Sequence, residues 1–174
     1  MDIIFRPLEN NDNEFKQIYK WCKNKFVYEW FEQRILSENE IINKYKSKLE
    51  KEIQKLFIIQ YKGKDIGLVQ LYKFECDIQL DTLKDFENIY EYDLFIGEEK
   101  YLSKGIGTDI VKHINEMLYS DYKADAIILR PFKRNIRAIK CYEKCNFKQI
   151  ADYDGKDTLG NPEIISVLLN TKKH

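Results

Sequence analysis

A chain of 174 residues with 44% apolar and 14% aromatic content is long enough to bury one hydrophobic core and short for two, so one domain over residues 1–174 is expected. No window approaches the roughly 18 uninterrupted apolar residues of a membrane span, and the start "MDIIFRPLEN" lacks the regions of a signal peptide, which points to the cytosol. A net charge of zero argues against nucleic acid, and cysteines without a C-x-x-C, with His113 and His174 outside any metal-ligand pattern, argue for reduced thiols over a zinc site.

In chain order, "DIIFRPL" alternates as a first strand, and Asn13 to Lys23 carries Phe15, Ile18, Tyr19 and Cys22 at helical spacing. Glu38 to Ile53 reads as a charge-laced helix with Ile41, Ile42, Tyr45, Leu49 and Ile53 on one face. "LFIIQYKGKDIGLVQLYKF" holds two β-rich runs joined by Lys62-Gly63-Lys64-Asp65, a hairpin signal. Glu75 to Asn88 has no clear period and reads as a loop or short helix. "YEYDLFIG" is the next strand, and "KGIGTDIVKHINEMLYS" a helix with Ile106, Ile110, Ile114, Met117 and Leu118 facing inward. "DAIILRP" has the continuous apolar run of a buried parallel strand, stopped by Pro131. A helix over "NIRAIKCYEKC", a strand over "FKQIADY", a turn through Asp154–Gly160 and a last strand over "EIISVLLN" complete an α/β order with a mixed sheet.

The charges are segregated. Glu75 to Glu99 holds nine acids against Lys84 alone, whereas Arg130 to Lys148 holds seven basic residues against Glu143. Such runs are either solvated faces or two fields that attract one cationic and one anionic ligand. Between them lies Lys104-Gly105-Ile106-Gly107-Thr108, ahead of an apolar helical stripe. It is not a Walker loop, because Lys104 precedes the glycines, and not a dinucleotide fingerprint, because Ile110 stands where a third glycine belongs. What remains is a turn for tight packing, or a helix N-terminus whose unpaired N–H groups and dipole favour an anion.

Downstream, "RNIRAIKCYEKCNF" places Asn135, Ala138, Tyr142 and Phe147 at intervals of three, four and five. This pairing of a Gly-x-Gly turn with a later Asn-x-x-Ala-x-x-x-Tyr helix resembles the GNAT superfamily of N-acetyltransferases. The resemblance implies an α/β acyltransferase fold: a mostly antiparallel central sheet with one splayed parallel pair, flanked by helices. It implies acetyl-CoA as the acetyl donor and no metal. Lys104, Gly105, Ile106, Gly107 and Thr108 would cradle the pyrophosphate, Asn135 and Ala138 would line the pantetheine arm, and Lys140 and Lys144 would reach the adenosine phosphates. Backbone around Phe95 and Ile96 would face the thioester carbonyl, and Tyr142 would protonate the leaving thiolate. Asn146 replaces the glycine usual before Phe147, and asparagine is well tolerated in a left-handed helix cap.

"IGLVQLYK", "YEYDLFIGEEKYLSKGIGT" and "AIILRPFKRNIRAIKCYEKCNF" are most similar to the aminoglycoside 6'-N-acetyltransferases, above all to the acetyltransferase half of bifunctional acetyltransferase–phosphotransferase resistance enzymes. Those enzymes carry an aspartate two residues before a Phe-Ile pair, the place of Asp93; a related branch that acylates siderophore precursors has histidine there. The resemblance implies a polycationic acceptor, with Asp93 anchoring the reacting amine or relaying its proton through water. The acids from Asp77 to Glu91 would supply a negative cleft, and Trp21, Trp30, Tyr72 and Tyr90 would stack on sugar faces or cationic groups. Siderophore precursors, polyamines and protein amines are the alternative acceptors, and a non-catalytic ligand sensor is the alternative class. Monomer and homodimer both stay open.

Overall fold

The structure is a computed structural model that describes residues 2–51, 54–75 and 80–172. The chain divides into two compact units, Met1–Tyr72 with Asp93–Lys104, and Lys73–Tyr92 with Gly105–His174. The strands are β1 (Ile3–Pro7), β2 (Gln54–Tyr61), β3 (Lys64–Lys73), β4 (Ile89–Ile96), β5 (Ala126–Leu129), β6 (Lys148–Lys156) and β7 (Pro162–Thr171). They form a seven-stranded mixed sheet in the order β1-β2-β3-β4-β5-β7-β6. β1 with β2, β2 with β3, β5 with β7 and β6 with β7 are antiparallel, and β4 with β5 is parallel, paired from Ile89↔Ala126 to Glu91↔Ile128. The mixed sheet with one parallel pair is the one the sequence resemblance implies.

In the first unit, α1 (Asp12–Cys22) starts on an Asn11 cap and α3 (Glu38–Glu50) on a reciprocal capping box between Ser37 and Glu40. Their apolar faces enter one core with β2 and β3, in which Phe15, Ile18, Trp21, Ile41 and Tyr45 are almost wholly buried. Lys62 and Gly63, with φ of 50° and 71°, make the paired left-handed turn that joins β2 to β3 and matches strand twist. α2 (Lys25–Phe31) is a helix that sequence periodicity does not announce. Its "KFVYEWF" is rich in β-branched and aromatic residues and has no side-chain cap, so packing holds it. Val27 is buried in the core, and Phe31 meets Phe95 edge-on with ring centroids 5.0 Å apart. α3 ends at Glu50, short of the expected Ile53, which lies outside the described residues.

In the second unit, α4 (Ile106–Ser120) buries Ile106, Ile110, Ile114 and Leu118, while Met117 is half-buried. β5 is buried at all four positions, as its apolar run predicts. α5 spans Ile136–Glu143. β6 runs on to Lys156, so the turn expected from Asp154 falls later, where Asp157 Oδ1 accepts the N–H groups of Leu159 and Asn161. The described part of the acidic stretch after β3 holds a 3₁₀ turn at Asp81–Leu83; Cys76 and Asp77 lie outside the described residues. Among the described residues no helix is long and apolar enough to cross a membrane.

Candidate active site

Two groups of chemically capable side chains stand out, one in each unit. In the second unit the first is built on the start of α4. Gly105 is its N-cap, with φ of 82°, and a Cβ there would meet nothing within 4 Å, so the glycine is needed for its left-handed backbone and leaves open space beside the helix end. Its carbonyl accepts the N–H groups of Thr108 at 2.9 Å and Asp109 at 3.2 Å. Gly107 lies inside the first turn of α4, within the helix that the sequence pattern predicts. It thus contributes a first-turn N–H to the positive end of the dipole.

Asn135 caps α5, its Oδ1 accepting the Ala138 N–H at 3.2 Å. The far end of α5 explains the Tyr-x-x-x-Asn-Phe spacing. Asn146 has φ of 66°, the Asn146 N–H reaches the Glu143 carbonyl at 3.1 Å, and the Phe147 N–H reaches the Tyr142 carbonyl at 3.2 Å. That is a Schellman motif, and its usual apolar contact is the Tyr142–Phe147 ring pair at 5.9 Å. Tyr142 is thereby held at the helix end by packing as well as by its backbone, while Lys140 and Lys144 are exposed.

Two thiols also converge here. Cys141 Sγ lies 3.5 Å from Thr108 Oγ1, and the Cys145 thiol donates to the Thr108 carbonyl at 3.4 Å. Contact with Cys145, then Thr108 and the nearby Lys144 and Arg137, holds the Cys141 thiol below the usual thiol range, and the same pairing pushes Cys145 up. Buried Cys22, by contrast, is pushed up to about 12, first by desolvation. Among the described residues no three His, Cys, Asp or Glu side chains group as a metal site.

The second group, in the first unit, is centred on Asp93, an exposed residue of β4. Its Oδ2 accepts the Tyr72 hydroxyl at 2.9 Å and the Gln70 side-chain amide at 3.2 Å. Gln70 is only 4% exposed, and its Oε1 accepts the Lys48 ammonium from α3 at 2.5 Å. Asp93 and Tyr72, two of the residues expected at the acceptor site, are thus hydrogen-bonded to each other. Gln70 and Lys48 were not anticipated; the available signal was a glutamine inside a run of β3 that is otherwise apolar and buried.

Three expected acceptor residues are placed differently. Trp21 is wholly buried, edge-on to Phe95 at 6.2 Å, with its indole N–H donated to Glu98 Oε1 at 3.0 Å. No face is left for a sugar. A Cβ on Gly97 would lie 2.1 Å from the indole, so this glycine makes room for the ring. Glu91 is 3% exposed and takes a bidentate pair from Arg130, at 2.8 and 2.7 Å, so it adds no free negative charge. Tyr90 packs edge-on against Tyr122 at 5.5 Å with the Lys73 ammonium 4.6 Å from its ring, so its aromatic contacts are internal. Trp30 lies on α2 and is half-buried.

Phe95 and Ile96 are buried at the end of β4. A Cβ at residue 67 would come within 2.1 Å of the Phe95 carbonyl oxygen, so Gly67 sets how closely β3 approaches this backbone. Of the basic segment, Arg130, Lys133 and Arg134 are engaged by Glu91, Asp152 and Glu163.

A mixed sheet with a parallel β4–β5 pair, flanked by helices, places the chain in the α/β class. Residues 10–154 match the family described as acetyltransferase (GNAT) domain, and the chain belongs to it. It is therefore an acetyl-CoA-dependent N-acetyltransferase. The chain is 27% identical over 143 residues to an aminoglycoside N(6')-acetyltransferase type 1 of Klebsiella pneumoniae, covering 79% of this chain and 71% of the relative. Its fold matches the crystal structure of aminoglycoside acetyltransferase AAC(6')-Ib with coenzyme A and kanamycin at a TM-score of 0.78 and 23% identity, over 98% of this chain and 95% of that one. A spermidine N-acetyltransferase from Vibrio cholerae with CoA and spermine matches at 0.77 and 15% identity, over 98% of this chain and 95% of that one. At these identities the two structures show a shared fold.

Proposed function

We propose that this enzyme transfers the acetyl group of acetyl-CoA to an amine of an aminoglycoside, the 6'-amino group being the expected position, and so confers resistance. The observation that carries the reading is Asp93. Its partners Tyr72 and Gln70 are both neutral and both on one oxygen, so the carboxylate keeps its net charge at an exposed position, as an anchor for an ammonium requires. Similarity to the aminoglycoside N(6')-acetyltransferase of Klebsiella pneumoniae supports the same acceptor class.

Acetyl-CoA supplies an activated thioester. The open space beside Gly105 and the first-turn amides of α4 suit a diphosphate, with Lys104 on the preceding residue. Asn135, the cap of α5, and Ala138, whose N–H it accepts, would meet the pantetheine arm, and exposed Lys140 and Lys144 would meet outlying phosphates. Tyr142, whose phenol carries a proton it can give, is the proposed donor to the leaving sulfur. A backbone N–H at Phe95 or Ile96 is the proposed hydrogen-bond donor to the polarised carbonyl. Asp93 holds and orients the amine. A carboxylate is a weak base toward an alkylammonium, so the proton of the amine is proposed to leave through water.

A thiol-release screen with acetyl-CoA tests the reading, using kanamycin, N-hydroxylysine and spermidine side by side. Kanamycin is expected to be turned over far faster than the other two, with the product acetylated at the 6' amine by NMR. Preferential turnover of spermidine or N-hydroxylysine would replace the aminoglycoside assignment.

A further inference from the structure

We propose that Lys48 is a positioning residue of the acceptor site: through its hydrogen bond it fixes which end of the Gln70 amide faces Asp93, and so which carboxylate oxygen is presented to the substrate. The inference rests on the reading of Asp93 as the amine anchor and adds a residue two steps removed from the substrate.

A glutamine amide has a carbonyl end and an NH₂ end of nearly the same shape, and its partners decide which way it points. Lys48 can only donate, so it selects the Oε1 end, at 2.5 Å. The NH₂ end is then turned to Asp93 Oδ2, at 3.2 Å. Reversal would set carbonyl against carboxylate and NH₂ against ammonium. With Gln70 only 4% exposed, water is poorly placed to compensate either mismatch. The Tyr72 hydroxyl also donates to Oδ2. Among the described residues no group donates to Oδ1, so the network leaves that oxygen for an incoming ammonium.

Lys48 itself is held in place. Its ammonium lies 5.8 Å from the centre of the buried Tyr45 ring, and the neighbouring Lys44, one turn earlier on α3, pairs with Glu32. Desolvation, then Lys44, lowers the Lys48 pKa to about 8, against the opposing pull of Asp93 and Glu32, so the side chain stays largely cationic at neutral pH.

Two readouts on the full-length enzyme test this. The first is hydrogen exchange of the Gln70 side-chain amide by ¹⁵N NMR, which needs no substrate. The second is steady-state acetylation of the best amine from the screen. Lys48→Met is expected to speed exchange of the Gln70 amide protons and to lower kcat/KM for the amine about tenfold, with KM for acetyl-CoA within about twofold. Lys48→Arg keeps a donor-only group and should retain both the protection and most of the activity. Lys48→Gln keeps polarity but adds an acceptor, so it should behave as Lys48→Met does. In a Gln70→Leu background Lys48→Met should cause no further loss, because Lys48 acts only through Gln70. Unchanged Gln70 exchange in Lys48→Met, wild-type behaviour of Lys48→Gln, or additive losses in the cycle would overturn the proposal. If no aminoglycoside is acetylated, the proposed function fails, and the Gln70 exchange alone then decides the role of Lys48.

Discussion

Glu91 and Asp93 stand two residues apart in the chain, both on β4, and had the same claim to a cationic substrate by charge alone. Their surroundings separate them. Glu91, in the second unit, is 3% exposed and bound at both oxygens by Arg130, whose guanidinium pKa is raised first by that hydrogen bonding. Asp93, in the first unit, is exposed and receives one hydroxyl and one amide on a single oxygen. A carboxylate matched by a guanidinium is neutral to a third party; one matched by neutral dipoles is still an anion. The first arrangement holds a strand, and the second can hold a ligand.

The largest expected effect comes from breaking the neutralised pair. Arg130→Met leaves the Glu91 charge buried without its partner and is expected to cost about 3 kcal/mol in thermal or denaturant unfolding. Glu91→Gln leaves instead an arginine whose side chain is 25% exposed, so it should cost less, about 1–2 kcal/mol. In both variants the folded fraction should acetylate with nearly unchanged kcat/KM. The double variant Glu91→Leu with Arg130→Met removes both charges and should recover much of the loss. A selective collapse of amine KM in Glu91→Gln would return Glu91 to the acceptor site.

Asp93→Asn is the matching change at the other carboxylate and is expected to act on turnover. It keeps the shape and loses the charge. kcat/KM for an aminoglycoside should fall about a hundredfold, while coenzyme A binding by calorimetry and the melting temperature stay close to wild type. Equal losses in amine turnover and coenzyme A affinity would show that Asp93 serves the fold or the carrier side, and the contrast with Glu91 would disappear.

How much of this was legible in the chain follows the range of the interactions. Strands and helices with regular apolar spacing could be read directly, as in α4 with Ile106, Ile110, Ile114 and Leu118, and so could the hairpin at Lys62-Gly63. α2 could not, because its helicity depends on what Val27 and Phe31 pack against. Asn146 was readable as a left-handed cap because the demand there is local. Asp93 was found through family resemblance; that Glu91 is neutralised depends on Arg130, 39 positions away. Trp21 misled for a related reason. Its burial depends on the missing side chain of Gly97, a pairing of distant positions that composition does not encode. The Lys48–Gln70–Asp93 chain joins α3, β3 and β4, and its only trace in the sequence is one glutamine in an apolar run.

The smallest of these effects is also the sharpest probe of how Asp93 differs from Glu91. Tyr72→Phe removes one neutral donor from Asp93 Oδ2 and leaves the carboxylate charge and the Gln70 bond in place. If net charge is what binds the amine, the loss should be modest, about three- to fivefold in kcat/KM, or roughly 1 kcal/mol for one hydrogen bond at a partly exposed site. The change should appear mainly in KM for the amine, since the hydroxyl orients the anchor in the bound and reacting states alike. A hundredfold loss in kcat, equal to that of Asp93→Asn, would instead give the Tyr72 hydroxyl a direct part in proton transfer. Asp93 would then act in a relay with Tyr72, and its retained charge would no longer suffice to explain the site.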